Sequence, residues 1–178
     1  MSWIEEKLAA THAELLKKAG HDASIFRVLG LNPDAMAGQL DLYTTLMLGD
    51  SGLSRLEREA VAVVVSANNE CAYCVQGHGE ALREYLDDNE TLEMLMTAEG
   101  LETLEPRLSN IVRHAEKLTN APDAMTEVDL GELRAVGLSD RDILDLTLIA
   151  GYFSFLNRIA LGLGVFADAD QAQSPAGS

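Results

Sequence analysis

Apolar residues recur three and four apart along most of the chain, and no segment sustains the strict alternation that marks a half-buried strand. Helix starts are marked repeatedly. "SWIE" near the N-terminus sets Ser2 to cap and Glu5 to reach back, and "SRLE" repeats this capping box with Ser54 and Glu57. Asn32 before Pro33 opens another helix, ending near "MLGDSG". Thr126 with Asp129 and Ser139 with Asp142 mark two more starts, with Gly137 as the stop between them. Pro106 and Pro122 bracket a helix containing "LSNIVRHAEKLT". The helix opened at Ser54 runs through "REAVAVVVSA"; Asn68 and Asn69 interrupt it, and a new helix is expected near Glu70. The pattern predicts an all-α, single-domain helical bundle over residues 1–167, followed by an Asp/Ala/Gln/Ser-rich tail, residues 168–178, expected to fray.

The two segments "LSRLEREAVAVVVSANNECAYC" and "LSDRDILDLTLIAGYFSFLNRIA" both begin with Leu-Ser and a charged first turn, then become apolar. Two related helical halves would explain this, and so would convergent helix-start chemistry. The longest apolar run, Ile143 to Val165, contains Asp145, Asn157 and Arg158 and is read as a buried helix, short of the roughly 20 apolar residues a bilayer span needs. The helix–Gly–helix between Thr126 and Tyr152 resembles a helix-turn-helix in outline, but "GELRAVGLSDRDILDL" offers only two arginines, and core packing is the reading.

Charge narrows the partners. The formal net charge is −16, which repels phosphate backbones and argues against nucleic acid and anionic membranes. Aromatics make up only 5%, so Leu, Val, Ala, Ile and Met must fill most of the core. The N-terminal "MSWIEEKLAATHAELL" lacks the basic flank and apolar run of a signal peptide, which gives a cytoplasmic expectation. In a reducing compartment a cysteine pair is more often catalytic or metal-binding than a static staple.

The two cysteines fall in "ECAYCVQGHGEALREYL", where Cys74 follows Cys71 by three residues and His78 follows Cys74 by four. On an α-helix these three side chains share an arc of about 60°. Positions i and i+3 lie roughly 5–6 Å apart, within disulfide range, and His78 stands one turn from Cys74, where it can exchange a proton. A redox-active dithiol leads on spacing. A structural zinc site would need two more ligands, and His12, His21 and His114 are scattered. Two inert buried thiols are the plain alternative. If the helix starts at Asn69 or Glu70, Cys71 lies in its first turn, where the dipole favours a thiolate.

Over residues 53–82, "LSRLEREAVAVVVSANNECAYCVQGHGEAL" resembles the core of the AhpD-like alkylhydroperoxidases within the carboxymuconolactone decarboxylase family, above all their peroxidase-related branch. The family pattern is a Glu, then a CxxC twelve residues on, then a His; here these are Glu59, Cys71, Cys74 and His78. "LSDRDILDLTLIAGYFSFLNRIALGLGV", with its Asn157-Arg158 pair, is similar to that branch's C-terminal helix. The resemblance implies an AhpD-like bundle with its redox core at about 53–86. It implies a peroxidase in which Cys74 attacks the hydroperoxide, Cys71 resolves, and Glu59 and His78 relay protons. It also implies no bound cofactor, reduction by an external dithiol such as a lipoyl group on a carrier protein, and a homo-oligomer of three protomers or a multiple. The family's founding members carry a second histidine between the cysteines; here Tyr73 stands there, either to donate a hydrogen bond or to pack. Read without the family, Glu59 is a solvated helix-start acid, and Glu70 and Glu80 are surface charges. A general disulfide oxidoreductase, a decarboxylase-like enzyme and a non-catalytic helical scaffold are the alternatives.

Overall fold

The computed structural model describes residues 2–6, 24–86, 90–95 and 97–166, and these form helices without strands. In chain order the helices are α1 (Ser24–Leu29), α2 (Pro33–Tyr43), α3 (Arg55–Asn68), α4 (Ala72–Arg83), α5 (Glu90–Met94), α6 (Ala98–Thr103), α7 (Pro106–Asn120), α8 (Glu127–Ala135) and α9 (Asp140–Gly162). The expected tail from 168 lies outside the described residues, as do His12 and His21.

Helix α3 is the hub. Every residue from Glu57 to Ser66 is buried, because α4, α7 and α9 all pack against it. Its two faces serve two clusters. Val61, Ala62 and Val65 join Met36, Leu40, Met47, Leu146, Ile149 and Phe153 in the main core. Ala60, Val63 and Val64 face Leu82, Leu95, Leu101, Leu108 and Val112. Small β-branched residues let neighbouring helices approach from all sides. At about 1.5–3 kcal/mol for each fully buried aliphatic side chain, this helix contributes a large share of the burial free energy.

The capping chemistry is where the sequence places it, with one exception. Reciprocal boxes close at Ser54–Glu57, Thr126–Asp129 and Ser139–Asp142. Asn32 Oδ1 accepts from the Ala35 N–H at 3.2 Å ahead of Pro33, and Gly137 takes φ +89. The exception is Ser2. Residues 2–6 are not helical, and the Ser2 hydroxyl donates to the Ile4 carbonyl at 2.7 Å rather than capping. Tertiary pairing wins here: the Trp3 N–H is taken by Leu163 O at 2.9 Å, and the Trp3 ring lies against Phe166 and Gly164.

Between α2 and α3 the chain makes a π-helical turn, Thr44–Leu48. Two arginines of α3 draw out its carbonyls: Arg58 binds Leu46 O and Gly49 O, and Arg55 binds Met47 O. A Cβ on Gly49 would sit 2.5 Å from Thr45 O, so the turn closes only over glycine. Helix α9 has the length and composition to cross a bilayer, but 56% of its apolar window is buried, and Asp142, Asp145 and Asn157 are buried with it. It is built as the core helix the sequence predicts.

Candidate active site

The site begins with how α3 ends. The Glu70 N–H bonds Ala67 O and the Cys71 N–H bonds Ser66 O, with Glu70 left-handed at φ +57, a Schellman stop carried by a residue other than glycine. A left-handed backbone at a non-glycine residue costs on the order of 1–3 kcal/mol. That reversal turns Cys71 back over the end of α3. Cys71 is the N-cap of α4, which starts at Ala72. The expected start at Glu70 is thus displaced by the left-handed turn, and Cys71 lies at the helix mouth rather than within the first turn.

The two cysteines of the expected stripe meet, with Cys71 at the N-cap and Cys74 inside the helix. The two sulfurs are 2.7 Å apart as a free thiol pair, Cys71 1% exposed and Cys74 9%. Their acidities diverge. Its hydrogen bond with Cys74 holds Cys71 below the usual thiol value against the opposing effect of burial, helped by the Cys74 backbone N–H and the Asn157 amide. The same contact, together with burial, pushes Cys74 well above it.

Glu59 is fully buried, which overturns its reading as a solvated acid. Its Oε2 is 2.8 Å from His78 Nδ1 and its Oε1 accepts from Arg55 Nη2 at 2.8 Å. A carboxylate only accepts, so Nδ1 carries the hydrogen and Nε2 is the basic nitrogen. His78 stands four residues, about one turn, after Cys74 on α4. The edge of the imidazole also packs against Phe153 of α9, centroids 4.5 Å apart at 74°. Burial first, and then the charge of Glu59, raise the Tyr43 phenol far above its usual range and keep it neutral.

Tyr73 packs against the core, and its hydroxyl accepts the Ile25 N–H at 3.3 Å, tying α1 to α4. Glu70 and Glu80 are exposed, as expected. The Asn157-Arg158 pair divides: Arg158 is exposed on Ser154 O, whereas Asn157 is completely buried. Asn69 Nδ2 donates to Asn157 Oδ1 and Asn157 Nδ2 donates to Ser66 Oγ, both at 3.0 Å. His114 is buried in α7, and among the described residues no group of three or more His, Cys, Asp or Glu is arranged to hold a metal ion.

Sequence reasoning missed Arg55, Asn69, Ser66 and Phe153. Arg55 stands four residues before Glu59, a legible ion-pair spacing. The other three are brought in by tertiary packing and carried no local signal. Together the residues can interchange dithiol and disulfide and can move a proton through a buried carboxylate–imidazole pair.

Known proteins share the family and the fold. The model of the carboxymuconolactone decarboxylase family matches residues 33–117, which contain all four motif residues. The crystal structure of a peroxidase-related protein from Silicibacter sp. TM1040 is 33% identical, with a TM-score of 0.81 over 92% of this chain and 86% of that one. An alkylhydroperoxidase AhpD core, a peroxidase-related protein from Ralstonia eutropha JMP134, is 28% identical, with a TM-score of 0.84 over 98% of both chains. Mouse (Mus musculus) Sestrin-2 is 24% identical over 92% of this chain, which spans about a third (33%) of that protein's length.

Proposed function

The chain belongs to the carboxymuconolactone decarboxylase family, in its AhpD-like peroxidase-related branch, and from that premise we propose that it is a thiol-dependent peroxidase reducing hydroperoxides through Cys71 and Cys74. The observation that carries the reading is the 2.7 Å sulfur pair one turn before His78, with the Glu59–His78 contact of 2.8 Å behind it.

One of the pair's two protons passes to His78, whose imidazolium Glu59 stabilises; the other is shared between the sulfurs. With that proton on Cys71, Cys74 is the thiolate. The Cys74 thiolate, the more accessible sulfur, attacks the nearer peroxide oxygen, and the O–O bond breaks. His78 returns its proton to the departing oxygen, so an alcohol leaves instead of a bare alkoxide. Cys74 is then a sulfenic acid; Cys71 condenses with it, releasing water and forming the disulfide. Exchange with an external dithiol, of the lipoyl type on a carrier protein, restores both thiols.

The same reading takes the protein to be a homo-oligomer in a reducing, cytoplasmic setting. Leu144, Leu148 and Phe155 form an exposed stripe on α9, 52%, 43% and 53% accessible, which supports self-association as trimers or multiples of them.

The test is a thiol count before and after one equivalent of an alkyl hydroperoxide. Wild type is expected to lose both thiols, Cys74→Ser to consume no peroxide, and Cys71→Ser to stop at a sulfenic acid that dimedone traps. Two thiols surviving in the wild type would remove the peroxidase; a pair active only on disulfide substrates would leave a general oxidoreductase.

A further inference from the structure

Arg55 stands where local rules would not put a cation. It is the first residue of α3, at the positive end of the helix dipole, and it precedes its acid by four residues, the weaker order for an ion pair. Tertiary contacts hold it there. Nη1 donates to Met47 O of the π-helical turn, Nη2 donates to Glu59 Oε1 at 2.8 Å, and the guanidinium carbon lies 5.8 Å from the centre of the Tyr85 ring. The neighbouring Arg58 spends its donors on carbonyls, those of Leu46, Gly49 and Leu53. Glu59, with no exposed surface, thus divides its charge between Arg55 through Oε1 and His78 Nδ1 through Oε2, each at 2.8 Å. A buried carboxylate facing the imidazole alone would draw a proton strongly onto that pair. The guanidinium opposes this, because it offsets the carboxylate charge and repels an imidazolium. The other titratable groups about the pair are the thiols of Cys71 and Cys74 and the phenols of Tyr43, Tyr85 and Tyr152, none of which can be a cation; Tyr43 lies in the field of both Glu59 and Arg55.

We propose that Arg55 is a positioning residue that sets the charge of the proton relay: by sharing Glu59 with His78 it leaves the imidazole free to accept the Cys74 proton, with the Met47 carbonyl and the Tyr85 ring fixing the guanidinium. The inference rests on Glu59 and His78 serving the thiols as that relay. Before Cys74 can attack, the assembly of thiol, imidazole and carboxylate must have released one proton. That release is harder once a neighbouring cation is removed, whichever of the coupled groups holds the proton.

The experiment follows the His78 imidazole by NMR against pH in the reduced protein, its signal assigned by its loss in His78→Gln, together with the acid limb of peroxide consumption. Arg55→Gln should move both midpoints up by about one pH unit. Arg55→Lys, which restores the charge, should return them most of the way. Tyr85→Leu, at a side chain exposed to solvent, should move them in the same direction by less. A merely structural role would lower the melting temperature and leave both midpoints unmoved. An unmoved imidazole titration in a folded Arg55→Gln overturns the proposal; if that variant does not fold, an unmoved titration in Tyr85→Leu does so. The imidazole is read without turnover, so a wild type inert to hydroperoxide would overturn the peroxidase and not this assignment.

Discussion

Helices α3 and α9 start alike and end as different things. Both open with Leu-Ser and close a reciprocal capping box, Ser54 with Glu57 and Ser139 with Asp142. Two residues beyond each box acid, α3 carries Glu59 at 0% exposure and α9 carries Leu144 at 52%. One helix is enclosed on every side and holds a buried charge; the other has a core side and an apolar outer stripe. Capping therefore specifies where a helix begins and says nothing of what surrounds it. A charge at the second turn becomes chemistry only where Arg55, His78 and the packing of the hub helix are supplied.

The contrast can be broken most strongly at those two positions. Glu59→Ala removes the carboxylate shared by Arg55 and His78 and should cost about 3–5 kcal/mol of stability. Glu59→Gln, which keeps the volume, should lower peroxide reduction by about 10²–10⁴-fold and alter its pH–rate profile. An activity profile that does not change would reduce Glu59 to a structural ion-pair partner. Leu144→Glu should change protomer stability by no more than about 0.5 kcal/mol, and sedimentation should show whether it dissociates an oligomer.

The two sides of α9 offer the next comparison. Phe153→Ala, in the core against His78, should cost about 3–5 kcal/mol in urea unfolding. Phe155→Ala, two residues on and 53% exposed, should cost a small fraction of that. Equal losses would mean that the outer stripe is covered in the working assembly.

Smaller effects sharpen the likeness of the two starts. Ser54→Ala and Ser139→Ala should each cost about 0.5–2 kcal/mol, and by similar amounts, in thermal unfolding. A much larger loss at Ser54 would show that the box also positions Arg55, Arg58 and Glu59. The mildest probe is pH. Hydrogen bonds from the Ser139 hydroxyl, then its backbone N–H, hold the Asp142 carboxyl below the usual carboxylate range. Its contribution is present in full above the ordinary value of about 3.9 and is lost as pH falls through its folded value. Ser139→Ala should flatten that part of the acid limb, whereas an unchanged limb would assign it to other carboxylates.

Much of the site was legible because it lies on one stretch of chain. Cys71, Cys74 and His78 follow from helical spacing, and Glu59 follows from the family pattern at a fixed distance upstream. The break at Glu70 was not, since no glycine marks the left-handed residue and only the completed Schellman hydrogen bonds define it. The false box at Ser2 fails for the opposite reason: its local signal is sound, but Leu163, far along the chain, holds the Trp3 N–H.

By itself the sequence determined the helical class, most helix starts, and the closeness of the two sulfurs, because these depend on interactions within a few residues. Tertiary structure alone decided that Glu59 is buried and paired, that Tyr73 ties α1 to α4, and that Asn157 is buried between Asn69 and Ser66. Those outcomes depend on desolvation and on partners up to 91 positions apart, as Asn157 and Ser66 are. The energy of a buried polar group is set by what closes around it, and that is written in the packing.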